Sequence, residues 1–580
     1  MRADLFIFLL VTATVIFYLL VMVSGRSGSR RDFYTLSGRS SPLASGMASA
    51  ADWLCAATFL GFFGLLSVNP LDSQLILSGW LAGLVLMGLW IAPAQFHSGH
   101  FSLSGYLGAG YSSRLVGYLA LLIVVLICTV LLALQLRGMS LLFSRHLQLS
   151  VQAGVMISML LLLFYVVLGA MKAITQVQLL QYCILFCALM VSAIYLAGEF
   201  DERFGVLFAS SFFSSSGFEF QQSLDGLKQQ LGFTAQVSQR DTLDVLLMLV
   251  SLTAGVAVLP HLLMRFQSVR KTSDIGVSAV WMLVFLGLIY TSMPLVAGMG
   301  ELRLIQSVNG ELNQGKAYSR MPDWFYSWEQ SEQLAWYDHT QDGKVQYAAG
   351  QPFDGLAPVY SDKIGLSGER VILNPAAGVY EPLQQRFPSE LYVAEEARLF
   401  LIPEVSAMPV WVVGLLSVGV VAAILSSASV LIISTAHSVA MQLFSKRLTQ
   451  RGELKLARLA AVLMLLMAGI FGLLLPGSLL ELLNRVIALA AATLFPATLL
   501  LIFRPGLHPY AVLAGMLAGL TSCLVYILWF ELNLLPKVGP ETSQLLLSPE
   551  AFGACAMLLN FAVTLLLAVF FKEAVLRIKE

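Results

Sequence analysis

Apolar runs long enough to cross a lipid bilayer recur along the whole chain. A spanning helix needs about 20 mainly apolar residues, because the hydrocarbon core of a bilayer is about 30 Å thick. About thirteen segments meet this criterion, and the sequence therefore predicts an all-α polytopic membrane protein. The segments cover residues 5–23, 44–68, 75–96, 116–143, 151–171, 178–198, 243–264, 276–298, 408–438, 456–475, 478–503, 509–531 and 551–571.

The composition agrees with this class and excludes several others. Of the 580 residues, 58% are hydrophobic and 12% are charged, whereas soluble domains carry about 25% charged residues. The net charge of zero gives no sign of a nucleic-acid partner. The sequence has no Walker loop and no hydrolase constellation, so we predict neither ATP-driven transport nor an enzyme. The six cysteines lie in apolar segments, which argues against a disulfide framework.

The distribution of Lys and Arg predicts the orientation. With the N-terminus outside, the predicted inner segments hold 18 Lys and Arg residues and the short outer segments hold 6. Arg265 is one of the inner residues, and we expect it at the membrane interface. Because cytoplasmic loops are enriched in these residues, the bias places the N-terminus in the periplasm and the C-terminus in the cytoplasm of a bacterial inner membrane. The first apolar run is longer than that of a signal peptide and has no small-residue cleavage site after it, so we interpret it as a span.

Two predicted outer segments are long. Residues 199–242 form a polar loop, and residues 300–406 form a periplasmic insert of ordinary soluble composition. The insert carries a turn, Asp338 to Gly343, that resembles the start of a calcium loop. The twelfth position of such a loop is Ala349 here, whereas a calcium loop requires Glu. We therefore interpret this stretch as a solvated Asp–Gly turn.

The second and ninth predicted spans carry polar residues in unusual places. Asp52 lies a few residues inside an apolar helix, so it either faces a polar cavity or caps the helix at the interface. Ser426 and Ser427 interrupt the ninth span. Hydroxyls and freed backbone carbonyls are the ligands that a hard cation takes. The two spans together predict a sodium site, although the serines could equally bond to carbonyls of their own helix.

The fourth and seventh spans supply candidates for gating and for solute binding. Gly255 and Pro260 weaken the seventh helix, and His261 follows them with a titratable ring. In the fourth span, Arg137 lies beside Gln135. Arg137 is a candidate counter-ion for Asp52 or for a carboxylate solute, and snorkelling to the interface is the alternative.

These residues resemble the sodium:solute symporter family, and most closely its cation–acetate symporter subgroup. The likeness covers most of the chain outside the two outer segments. The motifs that carry it are Asp32-Phe33-Tyr34 with Gly38-Arg39, Ala51-Asp52-Trp53 with Ala56-Ala57-Thr58-Phe59-Leu60-Gly61, the segment 169–182, Leu259-Pro260-His261-Leu262-Leu263-Met264-Arg265-Phe266, and Ala422-Ala423-Ile424-Leu425-Ser426-Ser427.

The resemblance implies a LeuT-like inverted five-plus-five repeat running from the second span to the eleventh. It also implies a sodium ion between core helices one and eight. Its ligands would be the carbonyls of Ala50, Trp53 and Ala423 with the hydroxyls of Ser426 and Ser427, and Asp52 would be its neighbour.

The corresponding divisions of the chain are a first helix with a basic loop (1–43), the first repeat (44–198), an outer loop (199–242), the start of the second repeat (243–299), the insert (300–406), the rest of the second repeat (407–504) and two C-terminal helices (505–580).

The chain departs from the subgroup at three places. Val256 and Val258 replace residues of a Gly-Thr-Ala-Gly motif, Gln442 replaces an Asp, and Ser104-Gly105 replaces a Pro-acid pair. The ion site is therefore expected to be intact and the solute site to be altered.

The sequence thus favours a sodium-coupled symporter in the lipid bilayer that imports a small organic solute, with a monocarboxylate such as acetate as one candidate. A transporter-like sensor and a proton-coupled symporter remain alternatives. Sodium would be a co-transported ion rather than a prosthetic group.

Overall fold

The computed structural model describes most of the chain. The described residues are 2–24, 40–147, 149–168, 171–200, 226–227, 229, 231, 240–310, 314–348, 352–353, 358–365, 368–374, 389–444, 450–531 and 547–579. The Asp32-Phe33-Tyr34 motif and most of the predicted outer loop 199–242 lie outside these ranges.

Helices account for nearly all the described membrane-length segments. In chain order they are α1 (Arg2–Ser24), α2 (Pro42–Trp53), α3 (Phe62–Val68), α4 (Pro70–Leu86), α5 (Ala92–His97), α6 (Leu103–Gly110), α7 (Arg114–Leu147), α8 (Val151–Leu168), α9 (Met171–Phe200), α10 (Thr242–Ala257), α11 (Pro260–Phe266), α12 (Ser273–Asn309), α13 (Asp323–Gln330), α14 (Arg398–Val405), α15 (Val410–Phe444), α16 (Gln450–Leu474), α17 (Leu479–Phe503), α18 (Pro509–Glu531) and α19 (Pro549–Lys579). A π-helical turn, Ala56–Gly61, precedes α3, and another, Met87–Ile91, joins α4 to α5.

The predicted membrane architecture is confirmed. Among the described residues, ten helices are long and apolar enough to cross a membrane, two further spans are bent pairs of helices, and α8 contributes a shorter apolar helix. The bent pairs are α2 with the segment Ala56–Val68, at 73°, and α10 with α11, at 47°. They are the second and seventh predicted spans, so each opens one five-helix half of the core. Equivalent interruptions in two halves are typical of transporters built from inverted repeats.

The second bend follows directly from the sequence. The residue before a proline is disfavoured in helical conformation, because the proline ring crowds its backbone. Leu259 is accordingly extended, with φ −63° and ψ 116°, and α11 begins at Pro260. Gly255 supports this bend by close packing, since a Cβ placed on it would lie 2.0 Å from the Ile487 carbonyl oxygen.

Helix α15 is the centre of the bundle. Its membrane-spanning window is wholly buried, whereas that of the N-terminal helix α1 is mostly exposed. It packs against α7, α9 and α16 and also contacts α2. A helix surrounded by others exposes no face to lipid, which lets it carry hydroxyl side chains at low cost.

The described part of the insert contains three small antiparallel sheets. Their strands are β1 (Lys316–Ala317), β2 (Leu334–Trp336), β3 (Lys344–Val345), β4 (Tyr360–Ile364), β5 (Arg370–Ile372) and β6 (Leu391–Val393). The pairs are β1 with β3, β2 with β6, and β4 with β5.

The insert is tied to the helical bundle by buried polar contacts. Arg398 donates to Glu301 at 2.6 Å, and Tyr347 donates to the same carboxylate at 2.9 Å. The Leu479 N–H, at the start of α17, donates to Glu396 Oε1 at 2.8 Å. These bonds connect the insert to α12 and to α17, so it is docked on the bundle.

Candidate ion and solute site

The first bent span leaves backbone groups without helical partners. α2 ends at Trp53, and the π-helical turn starts at Ala56. The Cys55 N–H donates to Thr58 Oγ1 at 2.9 Å. The Ala56 N–H donates to Gln135 Oε1 of α7, also at 2.9 Å. Gln135, predicted as a solute or gating candidate, therefore lies at the break and satisfies one of its freed donors.

The hydroxyl of Ser426 meets the end of α2. Its Oγ lies 2.6 Å from the Ala51 carbonyl oxygen and 2.8 Å from the Ala423 carbonyl oxygen of its own helix. A hydroxyl carries one proton, so it donates to one carbonyl at a time and keeps acceptor lone pairs free. The predicted junction between the second and ninth spans is therefore present, and Ser427 is buried next to it on α15.

Two of the predicted carbonyls are engaged within their own segment. The Ala50 carbonyl accepts the Leu54 N–H at 3.0 Å. The Trp53 carbonyl accepts the Cys55 N–H at 2.9 Å and the Thr58 hydroxyl. The structure brings Ala51 rather than Ala50 to Ser426, a shift of one residue that the helical phase of α2 sets.

Asp52 pairs with a cation that the sequence analysis assigned elsewhere. Arg265 Nε donates to Asp52 Oδ2 at 2.8 Å, and both side chains are 0% exposed. Gln178 of α9 donates to Asp52 Oδ1 and accepts from Arg265 Nη2. Thr175 accepts from Arg265 Nη1 at 2.7 Å. The four residues connect α2, α9 and α11 in one buried network.

This network corrects three interpretations of the sequence. Arg265 was expected at the membrane interface, but it is fully buried. The sequence allows Asp52 to be an interfacial cap, but it is 1% exposed and ion-paired. Arg137 was a candidate counter-ion for Asp52, but it donates to the Leu475 carbonyl at 3.3 Å instead. The physical reason is that α11 turns back towards α2 after the bend and so brings Arg265 to Asp52.

Gln178 links the Asp52–Arg265 pair to Ser426. Gln178 Nε2 donates to the Ser426 carbonyl at 3.0 Å. Ser426 thus receives Gln178 at its carbonyl and reaches Ala51 through its hydroxyl. Any displacement of α15 relative to α2 must break or remake these bonds, so the ion pair and the candidate ion site are mechanically connected.

His261 and Pro260 lie at the second bend. The His261 side chain is buried, and its Nδ1 has no hydrogen-bond partner among the described residues. Pro260 is the first residue of α11 and is also buried. Of these residues, Pro260 sets the bend and Gly255 packs closely against α17 beside it. His261 stays a candidate for gating.

Aromatic side chains that the sequence analysis did not single out surround the first break. Trp53 and Trp80 meet edge to face at 5.4 Å between ring centroids, and Phe62 and Tyr290 do so at 5.1 Å. Trp53 Nε1 donates to the Tyr290 hydroxyl at 2.9 Å. Trp80 Nε1 reaches Asn484 Oδ1 of α17 at 3.3 Å. The cluster is buried and combines apolar rings with a few polar groups, the composition that small-molecule sites have.

A cavity lies at the C-terminal end of α15. It has a volume of about 850 Å³ and lies between α6, the start of α7 and the end of α15. Arg114, His437 and Gln442 are among its lining residues.

Comparisons with known proteins identify the kind of protein that this chain resembles. The sequence model of the sodium:solute symporter family matches residues 33–313. The chain resembles that family over this segment, which is just under half of its length. It is an integral membrane protein, and the relatives it matches are transporters.

Two bacterial relatives illustrate the divergence. An uncharacterized symporter of Cupriavidus necator is 22% identical over 90% of this chain and 85% of its own length. The monocarboxylic acid transporter of Corynebacterium glutamicum is 28% identical over 52% of this chain. The match spans about half of that relative, 55% of its length.

A solved structure supports the fold. A Na+-coupled sialic acid symporter in a substrate-bound outward-open state superposes with a TM-score of 0.65 at 12% sequence identity, over 97% of both chains. At this identity the likeness shows the fold alone, and it confirms the expected LeuT-like five-plus-five core.

Proposed function

We propose that this protein is a sodium-coupled symporter that imports a small organic solute by alternating access. The observation that carries the proposal is the contact of the Ser426 hydroxyl with the Ala51 carbonyl at the break in the first core helix. This contact brings uncharged oxygen atoms from two helices together. Such oxygens can act as ligands of a hard cation without burying another charge.

The ligand set that we propose uses groups from both helices. The carbonyls of Ala51 and Ala423 and the hydroxyls of Ser426 and Ser427 form its centre. The carbonyls of Ala50 and Trp53 would join it after small changes at the break, since each accepts a hydrogen bond within its own segment. Asp52 is a neighbour, because its carboxylate is bonded to Arg265 and Gln178.

The buried ion pair favours sodium over protons as the coupling ion. A proton-coupled mechanism through Asp52 would require its carboxylate to gain and lose a proton while Arg265 lies 2.8 Å away. Neutral oxygens beside it are better suited to a metal cation.

A small solute with one polar end suits the aromatic cluster. Trp53, Phe62, Trp80 and Tyr290 lie around the first break, and Asn484 adds an amide. A short monocarboxylate combines a small apolar group with a polar end, and a relative in Corynebacterium glutamicum is a monocarboxylic acid transporter. Arg137 is less suited to bind the carboxylate, because it already donates to Leu475.

The membrane orientation that we propose follows the charge bias of the loops. The N-terminus and the insert would lie in the periplasm, and the C-terminus in the cytoplasm of the bacterial inner membrane. This orientation would place the 850 Å³ cavity at the cytoplasmic end of α15. Solute and sodium would then leave through it. Sodium bound between α2 and α15 would couple the two halves of the core, because these helices separate when the site opens.

Binding of sodium and solute should raise the thermal stability of the purified protein. A ligand that binds the folded state stabilises it by RT ln(1 + [L]/Kd), about 2.7 kcal/mol at one hundred times Kd. We expect NaCl, but not an equal concentration of choline chloride, to raise the unfolding midpoint. A panel of short monocarboxylates, sugars and amino acids should then give a further, sodium-dependent shift for one class.

Two outcomes would redirect the proposal. Solute stabilisation of equal size in choline chloride would contradict sodium coupling. Solute binding without any flux in vesicles would favour the alternative of a transporter-like sensor, which the altered residues Val256, Val258 and Gln442 make a reasonable second candidate.

A further inference from the structure

Three carboxylates converge in the insert, outside the ion and solute site. The turn between β2 and β3 carries Asp338 and Asp342, and Glu390 directly precedes β6. One oxygen from each of the three carboxylates lies within 4.8 Å of an oxygen from each of the others.

The pairing of β2 with β6 brings Glu390 to this turn. Trp336 lies opposite Leu391 in the antiparallel register. The pairing continues one residue further, where the Tyr337 N–H donates to the Glu390 carbonyl at 2.9 Å. Asp338 follows immediately, so the side chain of Glu390 reaches the turn. A calcium loop has an acidic residue at the position of Ala349. Here Glu390, 50 residues after Thr340 in the chain, supplies the acidic side chain instead.

The turn itself is held in shape by its own bonds. Asp338 Oδ2 accepts the Gly343 N–H at 2.9 Å, and Asp338 Oδ1 accepts the Asp342 N–H at 3.2 Å. Gln341 has φ 58° and Gly343 has φ 68°, which lets the chain curl around the Asp338 carboxylate. A carboxylate has about four acceptor positions, so these bonds leave some of them open.

Glu390 is an unusual residue for a solvated turn. It is 1% exposed, and Oε1 accepts the Thr340 N–H at 3.1 Å and the Thr340 hydroxyl at 3.0 Å. Its second oxygen, Oε2, is buried and has no hydrogen-bond donor among the described residues. Burial, and then the charges of Asp338 and Asp342, raise the pKa of Glu390 to about 7. A buried acceptor without a donor is costly unless a cation or water satisfies it.

We propose that Asp338, Asp342 and Glu390 form a Ca²⁺ site that fixes the insert. Ca²⁺ binds oxygen at 2.3–2.6 Å, so two ligands on opposite sides of the ion are about 4.6–5.2 Å apart. The three carboxylate oxygens lie within 4.8 Å of one another, which lets one Ca²⁺ contact all three. Mg²⁺ binds at about 2.0–2.1 Å, requires a nearly regular octahedron and loses its waters reluctantly, so a set of carboxylates from two separate segments suits the more flexible Ca²⁺ better. The ion joins the β2–β3 turn to the segment before β6.

The site explains why an acidic cluster lies in the insert at this position. β6 leads within a few residues to Glu396, which caps the start of α17, and to Arg398, which pairs with Glu301 of α12. A cation that holds Glu390 therefore stabilises the segment that docks the insert on the bundle. With the insert in the periplasm, free Ca²⁺ in the surrounding medium reaches this site without crossing the membrane.

The test uses the purified full-length protein, stripped of metals with a chelator and then titrated with CaCl₂. We expect the unfolding midpoint to rise over about 0.1–1 mM Ca²⁺, the range of extracellular calcium modules. The same concentrations of MgCl₂ should give a much smaller rise. Asp342→Asn, at an exposed position that tolerates replacement, should shift the titration at least tenfold to higher Ca²⁺.

Glu390→Gln should remove the response to Ca²⁺, because it withdraws the buried ligand and keeps the shape of the side chain. Glu332→Gln is the matched control, since Glu332 lies in the same insert and pairs with Arg370 at 3.1 Å instead. The control should titrate like the wild type. An Asp342→Asn titration that coincides with the wild type, or a wild-type response that Mg²⁺ reproduces, would overturn the proposal.

Discussion

Replacing Arg265 with Met is expected to destabilise the folded protein by about 3–5 kcal/mol, because it leaves the buried Asp52 carboxylate without its cation. Asp52 and Arg265 are both fully buried and lie 2.8 Å apart. Gln178 would still donate to Asp52, but a neutral amide does not replace a charge. Equilibrium unfolding of the purified variant in mixed micelles measures this loss.

The control and the rescue come from the same chain. Arg137→Met removes an arginine from another span whose described bond is to the Leu475 carbonyl, and it should cost no more than about 1.5 kcal/mol, the value of one hydrogen bond. Asp52→Asn combined with Arg265→Met should recover much of the loss, because it removes both charges together. If Arg265→Met unfolds like Arg137→Met, the ion pair does not hold α2 against α11.

The second large effect concerns the candidate ion site. Ser426→Ala with Ser427→Ala should abolish sodium-stimulated solute uptake, because it removes the hydroxyl that reaches Ala51 and the neighbouring hydroxyl of the proposed ligand set. Assembly in the membrane should survive, since alanine suits a helix interior and both serines are buried within the bundle. The measurement is solute uptake into proteoliposomes with and without an inward sodium gradient, at equal amounts of inserted protein.

A serine elsewhere on α15 provides the control. Ser438 is buried on the same helix and donates to the Ser434 carbonyl at 2.7 Å, so its hydroxyl bonds within its own helix. Ser438→Ala should therefore leave the sodium dependence unchanged. Sodium stimulation that persists in the Ser426 and Ser427 double variant would remove these hydroxyls from the ion site.

The spans and both bends could be predicted because they depend on local properties. Length and hydropathy identify a membrane helix, and Pro260 identifies the second bend from its own ring geometry. The first bend has no proline, but Asp52 and the small residues around it indicated that α2 was unusual. The link between Ser426 and the first core helix came from the family resemblance, and the structure adds the contact with Ala51.

The long-range pairs could not be derived in the same way. Asp52 and Arg265 are 213 residues apart, and an arginine at the end of a span looks like an interfacial residue until the bend directs it inward. Glu390 was missed for a similar reason, because the pairing of β2 with β6 sets its partners. Two polar residues of α9, Thr175 and Gln178, lie about one helical turn apart, and this spacing is the signal that indicates a buried charge.

The most direct test of sodium coupling is solute accumulation by the purified protein in proteoliposomes under an imposed gradient. We predict that an inward sodium gradient, with no pH gradient, drives the solute that stabilises the protein above its external concentration. We also predict that an inward proton gradient in sodium-free buffer does not. Accumulation driven by protons alone, or equal uptake in choline and sodium, would contradict the account.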